Sequence, residues 1–182
     1  GSNVIIEGQS SIESNVEIVG NVYIKDSVIK SNSIIKPFVN IINSKIGTNS
    51  QIGPFSNLRP STVLKSNTKI GNFVEIKKST IGDNSKVPHL SYIGDTEMGS
   101  NVNVGAGSIT CNYDGFEKHK TVIKDNVFLG SDTKLVAPII IGKESTTGAG
   151  TVLSKDLPDG SLGITRVKEK HLPNWKRKPK KK

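Results

Sequence analysis

His89 is the side chain of this sequence best suited to moving a proton near neutral pH, since an imidazole ordinarily titrates at about 6.5. It lies with Tyr92 in the stretch KVPHLSY (86–92). Arg59 directly follows Leu58, and Lys77 directly follows Ile76. Arginine offers a planar fork and lysine a point charge, so the two together suit a doubly charged oxyanion such as a phosphate. Asn103 adds an amide just before Val104. A polar segment at 111–120, CNYDGFEKHK, carries Asn112, Tyr113, Lys118, His119 and Lys120, and Arg166 lies in the tail after Pro158. Taken singly, each is an ordinary surface residue. Their weight depends on what mounts them.

The mount is a six-residue repeat. A branched aliphatic falls at Ile46, Ile52, Leu58, Leu64, Ile70 and Ile76, and a small or β-branched residue follows four later at Ser50, Ser56, Thr62, Thr68, Val74 and Thr80. After a one-residue slip the pattern resumes at Ile81 and Val87, and it returns at Ile123, Leu129, Leu135, Ile141 and Leu153. A period of six is the signature of a parallel β-helix, and neither a helical period nor an alternating sandwich strand reproduces it. Three hexapeptides make one triangular coil, with the aliphatic pointing inward and the small residue fitting the corner. Gly, Asn and Asp beside the aliphatic are expected to supply positive φ at sharp turns. About nine coils at about 4.8 Å each give a prism about 45 Å long.

Function in a solenoid gathers where the repeat is violated, because insertions project from one face. Residues 111–120, with their Asp-Gly turn, cannot pack in the prism and are expected to leave it as a loop. Residues 86–92 and the tail are lesser breaks. Polar residues on rigid strands between the inward aliphatics are good mounts for a site.

Composition fits. The apolar content of 34% suits a narrow core needing one aliphatic per strand. No apolar run approaches the roughly 20 residues of a membrane span. The lone cysteine, Cys111, cannot close an internal disulfide, so a reducing compartment, the cytoplasm, is expected. Cys111 itself reads as a small buried hydrophobe. The net charge of +9 is concentrated at 176–182, KRKPKKK, a solvated tail in which no interleaved aromatics suggest base stacking. Gly1-Ser2 reads as an expression scar, and the repeat already runs at Ile6, which suggests a missing N-terminal part. The resulting division is scar 1–2, repeat domain 3–165 and tail 166–182.

At LRP (58–60), NFVEIKK (72–78), HLSYIGD (89–95), NVNVGAGSITCNYDG (101–115) and VFLGSDTKLVAP (127–138), the chain resembles one family closely. It is the C-terminal acetyltransferase domain of the bacterial bifunctional glucosamine-1-phosphate acetyltransferase / N-acetylglucosamine-1-phosphate uridyltransferase. The resemblance covers residues 3–182. It implies a left-handed β-helix, an exception to the usual right-handed crossover. It further implies a homotrimer with active sites between subunits. The implied reaction is acetyl transfer from acetyl-CoA to the amine of glucosamine-1-phosphate, in the UDP-N-acetylglucosamine route to peptidoglycan and the cell wall. On the matching strings, His89 corresponds to the proton acceptor. Arg59, Lys77, Tyr92 and Asn103 correspond to sugar-phosphate contacts, with Lys118 a further active-site lysine. Ala106, Asn112, Tyr113, Ser131, Ala149 and Arg166 correspond to acetyl-CoA contacts. No metal is expected in this domain, and a uridyltransferase domain would precede it in a longer protein. Direct attack without an acyl-enzyme is expected.

Two other readings are open to the residues. The acceptor of a hexapeptide acyltransferase could be another amine or a hydroxyl. Alternatively, His89, His119 and His171 could hold zinc, as in solenoid hydratases. A purely structural solenoid would want a flat threonine face without a loop, which this sequence lacks.

Overall fold

The computed structural model describes residues 1–176 and is all-β. Most of the lysine-rich run, 177–182, lies outside the described residues, as does any role for it. Three parallel sheets of nine, eight and nine strands form the faces of a β-solenoid. The first face begins at Val4–Glu7 and ends at Val152–Leu153, the second runs from Ser11–Ile12 to Ile139–Ile141, and the third from Glu17–Ile18 to Leu162–Gly163. Each strand pairs with the strand three further along the chain, except that Thr146–Thr147 pairs with Leu162–Gly163, two further along. The hexapeptide solenoid expected from the repeat is therefore the observed fold.

The inward aliphatics stack in register. On the first face Ile24, Ile41, Leu58, Ile76 and Ile93 form one column, each at most 1% exposed. Ile6, at the foot of this column, is 47% exposed because the first coil has a neighbour on one side alone. The small corner residues are buried too. Ser56 Oγ donates to Gly71 O at 2.5 Å and Thr62 Oγ1 to Ile76 O at 3.1 Å, so each hydroxyl satisfies a carbonyl of the next coil.

A coil that loses its aliphatic leaves a cavity that flanking coils cannot close, because ladder spacing fixes them. Ile76→Ala should therefore cost about 2–5 kcal/mol. The urea midpoint measures it, and a change below about 1 kcal/mol would contradict the stacked core.

Glycine's role differs from expectation. Positive φ falls three residues after the aliphatic, at Asn49 (57°), Asn67 (59°), Asn84 (60°) and Asn101 (57°) on the second-to-third corner. Asparagine tolerates that region through local hydrogen bonding. On the third-to-first corner Phe38, Phe55, Phe73 and Leu90 occupy it, and the three rings stack at centroid distances of 4.7 and 5.3 Å. The glycine directly after an aliphatic mostly serves close approach. A Cβ on Gly71 would strike the Pro88 carbonyl of the next coil.

Candidate functional site

Register places the cationic residues on the outer surface of the first face. Asn57 pairs with Glu75, Glu75 with Tyr92 and Tyr92 with Ile109, forming one outward column. Two residues along, Arg59, Lys77, Gly94 and Cys111 form the next, since Lys77 pairs with Gly94. Cys111 thus points outward and is partly exposed, contrary to its reading as a buried hydrophobe. The inward place on its strand belongs to Thr110, 1% exposed.

That threonine explains how the chain leaves the prism. Elsewhere a backbone N–H reaches the carbonyl of the coil above, as Arg59 N reaches Ile76 O at 2.8 Å and Gly105 N reaches Leu129 O at 2.8 Å. At Gly94 the N–H donates instead to Thr110 Oγ1 at 2.8 Å. The carbonyl of Thr110 is then available to Asn112 N at 3.0 Å, which turns the chain outward. His119 N donates to Asn112 O at 2.8 Å and closes the loop. Asp114 braces the tip by accepting from Phe116 N and Glu117 N, each at 2.8 Å, and it meets His119 Nε2 at 2.7 Å. The Glu117 N–H, then His119 and the Phe116 N–H, hold the Asp114 carboxyl well below the usual carboxylate range.

The loop delivers Lys118 to the first face. Its amine lies beside that of Lys77, whose proximity holds Lys118 below the ordinary lysine range, against the opposing pull of Asp95 and Tyr92. Arg59 Nη1 meets Glu75 Oε1 at 2.9 Å, and Glu75 also accepts from Asn57 at 3.3 Å, so the guanidinium is tethered in this column. Tyr92 Oη accepts from Asn112 Nδ2 at 3.5 Å. A Cβ on Gly94 would lie 2.5 Å from Tyr92 Oη and 2.7 Å from Asn112 Nδ2, so the convergence of these groups needs a glycine there. Arg59, Lys77, Tyr92, Asn112 and Lys118 are thus brought together. Two nearby cations held against each other make a strong anion receptor.

A second set lies along the third-to-first corner. Lys86 pairs with Asn103, Asn103 with Phe128 and Phe128 with Thr146. Continuing that register stacks His89, Ala106, Ser131 and Ala149 in one column, one coil apart. Asp132 N donates to Ala106 O at 2.7 Å and Gly150 N to Ser131 O at 2.8 Å, which confirms the order. Beside it runs a column of Gly105, Gly130 and Gly148. A Cβ on Gly105 would meet the Ser131 backbone, and one on Gly130 would lie 2.7 Å from Ala149 N. The result is a strip of small residues and bare backbone, with His89 at its foot. Arg166 lies over its upper end, where a Cβ on Gly148 would be 3.4 Å from Arg166 Nη2.

The two sets do not meet within one chain. His89 ends a third-face strand, whereas the Lys77–Gly94 rung lies beyond the Leu90 corner, at the far end of the first-face strand. Asn103 lies on the third face beside Asn84 and Asn101, apart from Arg59 and Lys77. Tyr113 is 59% exposed in the loop, its hydroxyl donating to Gly115 O at 2.7 Å and its backbone bridging that of Lys118. The histidines do not converge: His119 pairs with Asp114 and His171 with Glu169. Among the described residues no group of three or more His, Cys, Asp or Glu side chains is placed to hold a metal. Among them, too, no helix is long and apolar enough to cross a membrane.

Sequence reasoning missed Glu75, Gly94, Asp95 and Thr110. The signal for Thr110 was a threonine standing where an inward aliphatic was due, directly before the loop.

Comparison with known proteins agrees with this architecture. Residues 43–78 match the family of bacterial transferase hexapeptides (six repeats). The solved structure of LpxA, a UDP-N-acetylglucosamine acyltransferase from Bacteroides fragilis, superposes with a TM-score of 0.64 at 21% identity, over 85% of this chain and 67% of that one. This likeness is one of fold. The bifunctional protein GlmU of Thermodesulfovibrio yellowstonii is 52% identical over 179 residues, 98% of this chain. That of Ralstonia pickettii is 48% identical over 180 residues, 99% of this chain. In both cases the chain spans 40% of the relative's length. With nearly its whole length matched at about half identity, and with a hexapeptide solenoid for its fold, the chain belongs to the GlmU family as its C-terminal hexapeptide-repeat domain.

Proposed function

We propose that the chain is an acyltransferase which moves the acetyl group of acetyl-CoA to the amine of glucosamine-1-phosphate. The observation that carries the reading is the Arg59, Lys77 and Lys118 cluster on the first face, a receptor for a dianionic phosphate beside Tyr92. The strip of small residues at Ala106, Ser131 and Ala149 leaves room for an extended pantetheine arm, and Arg166 at its upper end suits an anionic group of the coenzyme. The amine lone pair attacks the thioester carbon, His89 accepts the amine proton, and the coenzyme leaves as its thiol. The developing oxyanion needs N–H donors, for which the glycine-rich backbone around Gly105 and Ala106 is suited. Cys111 lies on the acceptor column rather than at that strip, which favours direct attack over an acyl-enzyme.

The cation cluster and the small-residue strip occupy opposite edges of the first face. A site that uses both is completed by a neighbouring copy, and a homotrimer with sites between subunits meets that need. The setting that follows is cytoplasmic UDP-N-acetylglucosamine synthesis, with a uridyltransferase portion elsewhere in a longer protein.

Thiol release from acetyl-CoA, with and without glucosamine-1-phosphate, tests the reading. Release that requires the sugar phosphate supports it, whereas release with amines or hydroxyls lacking a phosphate would favour another acceptor. Arg59→Ala should raise KM for the sugar phosphate about tenfold or more, as expected for one lost charge-assisted hydrogen bond. KM for acetyl-CoA should stay within about threefold. Equal losses toward both substrates would remove Arg59 from the phosphate receptor.

A further inference from the structure

Asp95 follows Gly94 at the corner from the first face to the second. It is 9% exposed and holds φ of 48°. Its carboxylate Oδ2 accepts from Asn112 Nδ2 at 2.6 Å, and Oδ1 faces Lys78 Nζ at 3.5 Å. Its main chain is engaged as well: Asp95 N donates to Lys77 O at 3.0 Å, and Asp95 O accepts from Thr121 N at 3.1 Å. Asn112 is where the 111–120 loop departs and Thr121 is where the chain rejoins the second face. One residue therefore holds both roots of the loop and the strand that carries Lys77.

We propose that Asp95 is the positioning residue of the anion-binding lysines, anchoring the loop at both roots and setting Lys118 over Lys77. The proposal rests on the reading of those lysines as the phosphate receptor. A nearly buried carboxylate is costly unless it is hydrogen-bonded and faces cations. Here the Asn112 amide supplies the bond, and Lys78 and Lys118 supply the charge. The same negative charge counters the repulsion between Lys77 and Lys118 when no phosphate is present. A bound phosphate would then take over that balancing role, so the receptor is held ready at modest cost.

Two substitutions separate charge from tether. Asp95→Asn keeps an oxygen for Asn112 and removes the charge. Asp95→Ala removes both. The direct readout is the titration of Lys118 in the ligand-free protein, followed by its 13Cε chemical shift. The charged groups around it are Lys77 and Tyr92 on the first face, Asp95 and Lys78 at the corner, Glu97 on the second face, and His119 and Lys120 on the loop. In Asp95→Asn the loop stays and the favourable charge goes, so the Lys118 midpoint falls. In Asp95→Ala the loop is released from Lys77, so the midpoint rises toward the ordinary lysine value.

In turnover, both variants should raise KM for glucosamine-1-phosphate about tenfold or more, the scale of a lost charge-assisted contact. KM for acetyl-CoA should stay within about threefold, and Asp95→Glu should recover part of the loss. A folded Asp95→Asn protein with the parent's Lys118 midpoint and sugar-phosphate KM would overturn the proposal. A wild-type chain that fails to use glucosamine-1-phosphate would instead overturn the functional reading, and the Lys118 titration would still decide the role of Asp95.

Discussion

His89→Ala should lower kcat by about 10²–10⁴-fold, the usual contribution of a positioned general base. KM for both substrates should stay within about threefold. His89 is exposed at the end of its strand, and its ring supports none of the inward column, so the fold has no stake in it. A melting curve like the parent's should accompany the loss. Position makes the expectation specific. His89 stands at the foot of the Ala106, Ser131 and Ala149 strip, where the thioester end of an extended coenzyme would lie. A base at that end meets the attacking amine. One at the upper end, near Arg166, would meet the nucleotide part of the coenzyme instead. Turnover within tenfold of wild type would remove His89 from the reaction. A loss confined to acetyl-CoA KM would make it a coenzyme contact rather than a base.

The fold was legible because a solenoid repeats its instructions. Each inward aliphatic is dictated by the one below it, so the pattern from Ile46 to Ile76 states the same geometry six times. The site was legible in part and for a different reason. Arg59 and Lys77 stand out because they occupy places beside inward residues where smaller ones recur. The 111–120 loop stands out because it breaks the period. What stayed hidden was convergence. Glu75 and Lys77 are two residues apart and both face outward, yet nothing in the spacing says that Glu75 holds Arg59 from the coil below. Asp95 reads as one more corner residue beside Asp26 and Asn43, which share its positive φ. Its contact with Asn112 crosses coils and depends on where the loop exits. The glycine after an aliphatic was misjudged because sequence shows a missing side chain without showing what fills the space. At Gly71 that is backbone, and at Gly94 it is the side chains of Tyr92 and Asn112.

That contrast yields the second large effect. Gly94→Ala should lower kcat/KM for the amino-sugar phosphate by about 10²-fold, the scale set by displacing a catalytic geometry by about 1 Å. The added Cβ would lie 2.5 Å from Tyr92 Oη and 2.7 Å from Asn112 Nδ2, so both must move. Both are ends of side chains, and Gly94 is not among the positive-φ residues, so alanine strains neither backbone nor core. The Tyr92 hydroxyl would swing off the Arg59 and Lys77 columns, and Asn112 would lose its 2.6 Å bond to Asp95. The root of the lysine-bearing loop would loosen with it. Stability should change little, so the melting temperature should stay within a few degrees of the parent. Gly71→Ala makes the opposite prediction from the same residue type, because its Cβ meets the Pro88 carbonyl and cannot be relieved by a rotamer change. It should lower the melting temperature and leave the activity of the folded fraction nearly intact. If Gly94→Ala were as active as the parent, the Tyr92 and Asn112 contact would be incidental, and the acceptor site would lie nearer the Arg59 end of its column. If it unfolded the chain, Gly94 would be a packing glycine like Gly71.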